Sequence, residues 1–178
     1  LKILEFRSGQ KVYDWKIPDE WNIQDAWIKN QRGQKLIDFK RNNLHIVGYS
    51  MPKNGWIEKK ELSKKLYSLK EQPDAIPYIT SYYKRDWGFC VTERERVQIM
   101  EEGDTFEICI DSSFNKDGEL NYGEALIKGE SRKEIFISTY ICHPSMANNE
   151  ISGPVVATYL AKWVKQQKNR KYTYRFIF

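Results

Sequence analysis

Apolar and polar positions alternate along most of the first 128 residues, in short runs broken by turn formers. Asp25 to Lys29 and Lys35 to Phe39 flank Asn30-Gln31-Arg32-Gly33-Gln34, and this spacing predicts a hairpin. Leu44 to Tyr49, Ile79 to Tyr83, Trp87 to Thr92, Thr105 to Asp111 and Glu124 to Ile127 read as further strands, with Asn115 to Gly118 as a polar turn. Ile57 to Leu69 carries Leu62, Leu66 and Leu69 at helical spacing, and Glu93 to Glu101 reads as a helical turn. The pattern changes after Gly129. Glu134 to Cys142 is almost continuously apolar, as strands covered on both faces are. Val155, Val156, Tyr159, Leu160, Trp163 and Val164 then recur at helical spacing, with Ser152 as the expected cap and Pro154 in the first turn. Tyr172 to Phe178 is again strand-like, so the C-terminal part predicts a βαβ unit with a right-handed crossover. The expected class is α+β: an antiparallel, sandwich-like β-rich domain joined to a partial α/β segment.

Composition narrows the functional classes. The 178 residues include 29 Lys and Arg against 24 Asp and Glu, interspersed, so a solvated surface accounts for the net charge of +5 without nucleic acid. The basic run Lys162 to Lys171 falls at the end of the last helix, where cations suit the helix dipole. Cys90, Cys109 and Cys142 form no C-x-x-C pair and sit in apolar runs, which predicts reduced, buried thiols in a cytoplasmic protein. No apolar run reaches the ~20 residues of a membrane span. A first residue of Leu1 rather than Met leads to the expectation of a piece from a longer protein.

Two histidines are available for chemistry. His45 lies in an alternating run and reads as an ordinary strand residue. His143 stands at the C-terminal end of the expected parallel strand, where open α/β sheets place their ligands. No G-x-S-x-G elbow frames Ser138, Ser145 or Ser152, and no glycine-rich phosphate loop is present.

The string His143-Pro144-Ser145-Met146-Ala147-Asn148-Asn149-Glu150-Ile151-Ser152-Gly153, behind its apolar strand, resembles the first metal-binding segment of zinc-dependent aminopeptidases. Asp14 to Asn22, Gln72 to Tyr78 and Trp87 to Cys90 resemble the β-rich domain of unknown function inserted into the polysaccharide-biosynthesis-associated branch of that family. The resemblance spans essentially the whole chain. It implies residues 1–11 and 129–178 as parts of the aminopeptidase-like domain, and 12–128 as the insert. It also implies zinc in the complete parent, weakly held or absent in this chain, with His143, Asn149 and Glu150 as the metal residues, and a peptide or peptide-like substrate. Against the family pattern, Ser145 stands where an aspartate orients the imidazole, and Asn149 where an acid bridges the metals. The catalytic glutamate of the pattern falls beyond Phe178, so the chain alone is expected to be inactive. Neither nucleic acid nor membrane is expected as a partner.

Two other readings stay open on the residues alone. The β-rich part is a non-catalytic module that holds saccharide or peptide on Trp15, Trp21, Trp27, Trp56, Trp87 and the Tyr82-Tyr83 pair. Alternatively, with Asn149 in place of an acid, the parent has lost catalysis and serves assembly.

Overall fold

The computed structural model describes residues 1–143, 145 and 147–178. Along the chain these form β1 (Lys2–Arg7), β2 (Lys11–Val12), β3 (Trp15–Lys16), β4 (Glu20–Lys29), β5 (Lys35–Asp38), β6 (Lys53–Glu58), α1 (Lys59–Leu62), β7 (Leu66–Tyr67) and β8 (Phe89–Cys90). Then follow α2 (Glu93–Glu101), β9 (Thr105–Asn115), β10 (Glu119–Ile127), β11 (Glu134–Ser138), α3 (Ala147–Gln166) and β12 (Thr173–Ile177). The architecture is α+β, in two units: Trp21–Asn115, and Leu1–Glu20 with Lys116–Phe178.

The continuous unit is built on a four-stranded sheet of order β5-β4-β9-β6. Strict alternation in β9 turns Phe106, Ile108 and Ile110 inward, and the pairings with β6 and of β4 with β5 are antiparallel. These side chains share one core with Leu62 of α1, Phe89 of β8 and Ile99 of α2, so helices and the short parallel β7–β8 pair cover the inner face. Glu93–Glu101 forms a full α-helix because Thr92 and Glu95 close a capping box: the Glu95 amide donates to Thr92 Oγ1 at 3.1 Å and the Thr92 amide to Glu95 Oε2 at 2.8 Å.

Three local expectations in this unit are corrected. The helix expected over Ile57 to Leu69 is one turn of α1 and a 3-10 turn at Ser63–Lys65, because Ile57 belongs to β6 and Leu66 to β7. The strand expected over Leu44 to Tyr49 opens instead as a 3-10 turn, Asn43–His45, capped by the Asn42 side chain. Of Ile79 to Tyr83 only Thr80 pairs, in a single bridge to Gly48. In each case hydrophobic spacing tracks burial, and side-chain caps or chain reversals fix the backbone.

The second unit holds a mixed sheet of order β1-β10-β12-β11. β11 and β12 are parallel with α3 between them in sequence, which is the expected βαβ unit. Two strands are too few for a sheet, and antiparallel pairing of β12 to β10 and of β10 to β1 completes it. Phe176 of β12 packs with Ala157 and Val164 of α3 as a small core. On β12, Arg175 alternates to the other side from Phe176, where Glu134 grips it through 2.7 Å and 2.9 Å bonds and Glu124 also pairs with it. Both acids hold the guanidinium firmly charged, and Arg175 in turn lowers the Glu134 carboxyl below its usual range.

Burial differs from the sequence reading here. β11 is the sheet edge and mostly exposed, with Phe136 at 63%, rather than covered on both faces. On α3 the inward positions are Ala157 and Val164, whereas Val156, Tyr159 and Trp163 point outward.

Core truncation should separate from surface change in urea unfolding of the chain. Phe106→Ala is expected to cost about 3–5 kcal/mol and Thr92→Ala about 1 kcal/mol. Trp56→Ala, on a residue 62% exposed, should stay within about 0.5 kcal/mol.

Candidate metal centre

The strand β11 hands the chain to the site. One residue past it, the Thr139 amide still donates to the Ile177 carbonyl at 2.9 Å, so the parallel pairing holds the exit of the strand. The helix that returns from the site starts at Ala147, five residues before the expected cap. Ser152 is therefore inside it, its Oγ donating to the Asn148 carbonyl at 2.7 Å, and Pro154 is in its interior. The first turns carry no apolar periodicity, since Ala147, Asn148 and Asn149 are exposed, and a hydrophobic pattern does not register them. Pro154 lacks the N–H that would otherwise reach the Glu150 carbonyl four residues back.

Gly153 fixes how closely strand exit and helix approach. A Cβ at this position would press on Thr139 Oγ1, well inside van der Waals contact, and would lie 3.4 Å from Thr139 Cβ. The Ser-Gly step thus serves packing, and it places the first turn of α3 against the segment that carries His143.

Glu150 is the pivot of that turn. Its side chain is 7% exposed, and its charge suits the N-terminal end of a helix. Oε2 accepts a short hydrogen bond from the Cys142 amide. Oε1 is buried, receives no hydrogen bond, and lies 3.2 Å from Nε2 of His143, whose side chain is 14% exposed. Cys142 completes the group: its Sγ and the ligand atoms of His143 and Glu150 lie within 4.8 Å of one another. Desolvation first, and the Glu150 carboxylate second, push the Cys142 thiol above its usual range.

Of the expected metal residues, the structure brings His143 and Glu150 together. Asn149 is placed differently: it is exposed, and its Oδ1 accepts from the Tyr140 hydroxyl at 3.0 Å. Ser145 is exposed with a left-handed backbone, φ 62°, and Pro144 and Met146 lie outside the described residues. The apolar run around Cys142 predicts a buried thiol like the other two, which hides it as a ligand. Only Cys90 is buried, its thiol pushed up to about 12, while Cys109 is half-buried and Cys142 exposed. In a regular strand Cys142 and His143 would face opposite ways, but β11 ends at Ser138 and the backbone beyond it is irregular.

The donor set suits zinc, which accepts imidazole nitrogen, carboxylate oxygen and thiolate sulfur. A buried carboxylate oxygen without a hydrogen bond is costly unless a cation or proton compensates it. His45, by contrast, is structural: its Nδ1 lies 2.9 Å from the Cys90 carbonyl and its Nε2 3.7 Å from Glu95. The tryptophans do not form one open platform either. Trp21 and Trp87 pack against the core, Trp15 and Trp27 are half-buried, and only Trp56 of the five proposed is exposed.

Comparison with known proteins follows from this geometry. A family profile described as a domain of unknown function, DUF2172, matches residues 20–113, more than half of the chain. A Clostridium acetobutylicum protein named for polysaccharide biosynthesis and an aminopeptidase-like domain is 47% identical over all 178 residues, which span 40% of its length. A crystal structure from the same organism, titled as that of a peptidase, superposes with TM-score 0.90 at 46% identity, over 99% of this chain and 41% of that one. The zinc aminopeptidase BSAP of Bacillus subtilis matches at TM-score 0.63 and 12% identity, over 99% of this chain and 50% of that one, a likeness of fold.

The Gly153–Thr139 contact gives a sign-reversing test by urea unfolding. Gly153→Ala alone should destabilise by about 1 kcal/mol, since overpacking outweighs the gain in helix propensity. With Thr139→Ala already present, the same change should become neutral or stabilising by up to about 1 kcal/mol.

Proposed function

The chain belongs to the DUF2172 family, in the aminopeptidase-like branch associated with polysaccharide biosynthesis, and from that premise we propose that it carries the first metal-holding segment of a zinc-dependent peptidase-like hydrolase. The observation that supports this is the buried Glu150 oxygen facing His143 Nε2 at 3.2 Å, just past the end of a parallel strand. His143 and Glu150 hold the metal, while the Asn149 oxygen, engaged by the Tyr140 hydroxyl, would have to leave that bond to join them. When bound, zinc supplies a water of lowered pKa and polarises a scissile carbonyl. The substrate is a peptide or peptide-like amine-terminated chain, and residues 12–128 are the insert within the hydrolase domain.

The residues of this chain do the positioning. The Cys142 amide fixes one oxygen of Glu150, and the other is thereby turned toward the imidazole. Thr139 and Gly153 set the distance between the two segments. Among the described residues the cluster holds three ligand-type side chains and no further carboxylate to act as general base. The chain alone therefore binds zinc weakly and does not hydrolyse peptides. None of the described helices is long and apolar enough to cross a membrane.

Isothermal titration of zinc into the chain should show one weak site, weakened at least about ten-fold in His143→Ala and in Glu150→Gln, as loss of one ligand predicts. Aminoacyl anilides should not be turned over. Chelator-sensitive hydrolysis by the chain itself, or zinc affinity indifferent to both substitutions, would contradict the proposal.

A further inference from the structure

We propose that Cys142 is a protein ligand of this site, so that zinc is held by a sulfur, nitrogen and oxygen set rather than by imidazole and oxygen donors alone. The inference rests on the zinc reading of His143 and Glu150 and adds to it a residue that neither the family resemblance nor the pattern along the chain supplies.

The geometry carries it in three steps. First, zinc bonds of ~2.0–2.2 Å to nitrogen and oxygen at a tetrahedral angle separate the two donors by about 3.4 Å. The His143 Nε2 to Glu150 Oε1 distance of 3.2 Å is close to that, so these two already stand as a pair of ligands would. Second, the Cys142 Sγ is within 4.8 Å of a ring nitrogen of His143 and a carboxylate oxygen of Glu150. A zinc–sulfur bond of ~2.3 Å asks for about 3.6 Å between sulfur and the other donors, so the sulfur has to close by no more than about 1 Å. Cys142 is exposed, and a change of χ1 rotamer displaces a cysteine sulfur by at least that much. Third, the competing oxygen is engaged elsewhere, since Asn149 Oδ1 accepts from the Tyr140 hydroxyl.

On binding, zinc would take the Cys142 sulfur in place of the thiol proton, which leaves to solvent, beside the Glu150 carboxylate and the His143 imidazole. The Cys142 backbone is fixed for this, since its amide is the group that holds Glu150 Oε2. One residue thus orients the carboxylate through its N–H and closes the site through its sulfur.

Zinc K-edge X-ray absorption of the zinc-loaded chain reads the ligand set without any assay of activity. One sulfur scatterer at ~2.3 Å is expected beside nitrogen and oxygen at ~2.0–2.1 Å. Cys142→Ser should keep zinc at reduced affinity and lose the sulfur shell, whereas Cys109→Ser should keep it. Zinc bound through nitrogen and oxygen only, or a sulfur shell that survives Cys142→Ser, would overturn the role of Cys142 and leave His143 and Glu150 standing as ligands. Failure of the chain to take up zinc at all would overturn both.

Discussion

A carboxylate with 7% of its side chain exposed is expensive to keep charged, and Glu150 is held there by two contacts of different kinds. The Cys142 amide satisfies one oxygen. The other receives no hydrogen bond and is set 3.2 Å from His143 Nε2. The surrounding structure serves this placement. Parallel pairing of β11 with β12 fixes the strand exit at Thr139, and Gly153 lets the helix come down onto that exit. Ala157 and Val164, packed with Phe176, hold the rest of α3 on the sheet. A larger residue at Gly153 or at Ala157 would lift the helix and carry Glu150 away from His143.

Much of this was legible in the residues. Apolar content at a strand end, a histidine, small polar residues and a Ser-Gly step located the segment, and the βαβ order placed it at a ligand-binding edge. The hairpin of β4 and β5 and the bounds of α2 followed from alternation and spacing, whereas His45, read as a strand residue, is buried and hydrogen-bonded in a 3-10 turn. What alternation did not reveal was set by side chains acting on the backbone. Ser152 reads as a cap but bonds back to Asn148 from inside the helix, because the polar turn ahead of it has no hydrophobic signature. Cys142 reads as one more buried thiol, because adjacency to His143 in a strand implies opposite faces, and the chain has already left the strand. Phe136, Tyr159 and Trp163 are exposed within this chain, which spans about 40% of the relatives it matches.

The two units divide the labour differently. The continuous unit closes its own core on Phe89, Phe106 and Ile99, and its tryptophans mostly serve packing. That weakens a saccharide or peptide platform there, since stacking on a ligand requires open aromatic faces. The discontinuous unit has the chemistry-bearing side chains but a small core, and it exposes the outer faces of β11 and α3. The relatives at 46–47% identity match this chain over about 40% of their own length, and the crystal structure among them superposes on 99% of it.

We propose that the buried Glu150 oxygen and His143 Nε2, 3.2 Å apart, face each other to hold a metal. Anomalous diffraction at the zinc edge from zinc-soaked crystals of the chain tests it most directly. The expected result is a single strong peak within ~2.0–2.2 Å of both atoms. A peak elsewhere, or an empty map with Glu150 bonded only to protein groups, would contradict it.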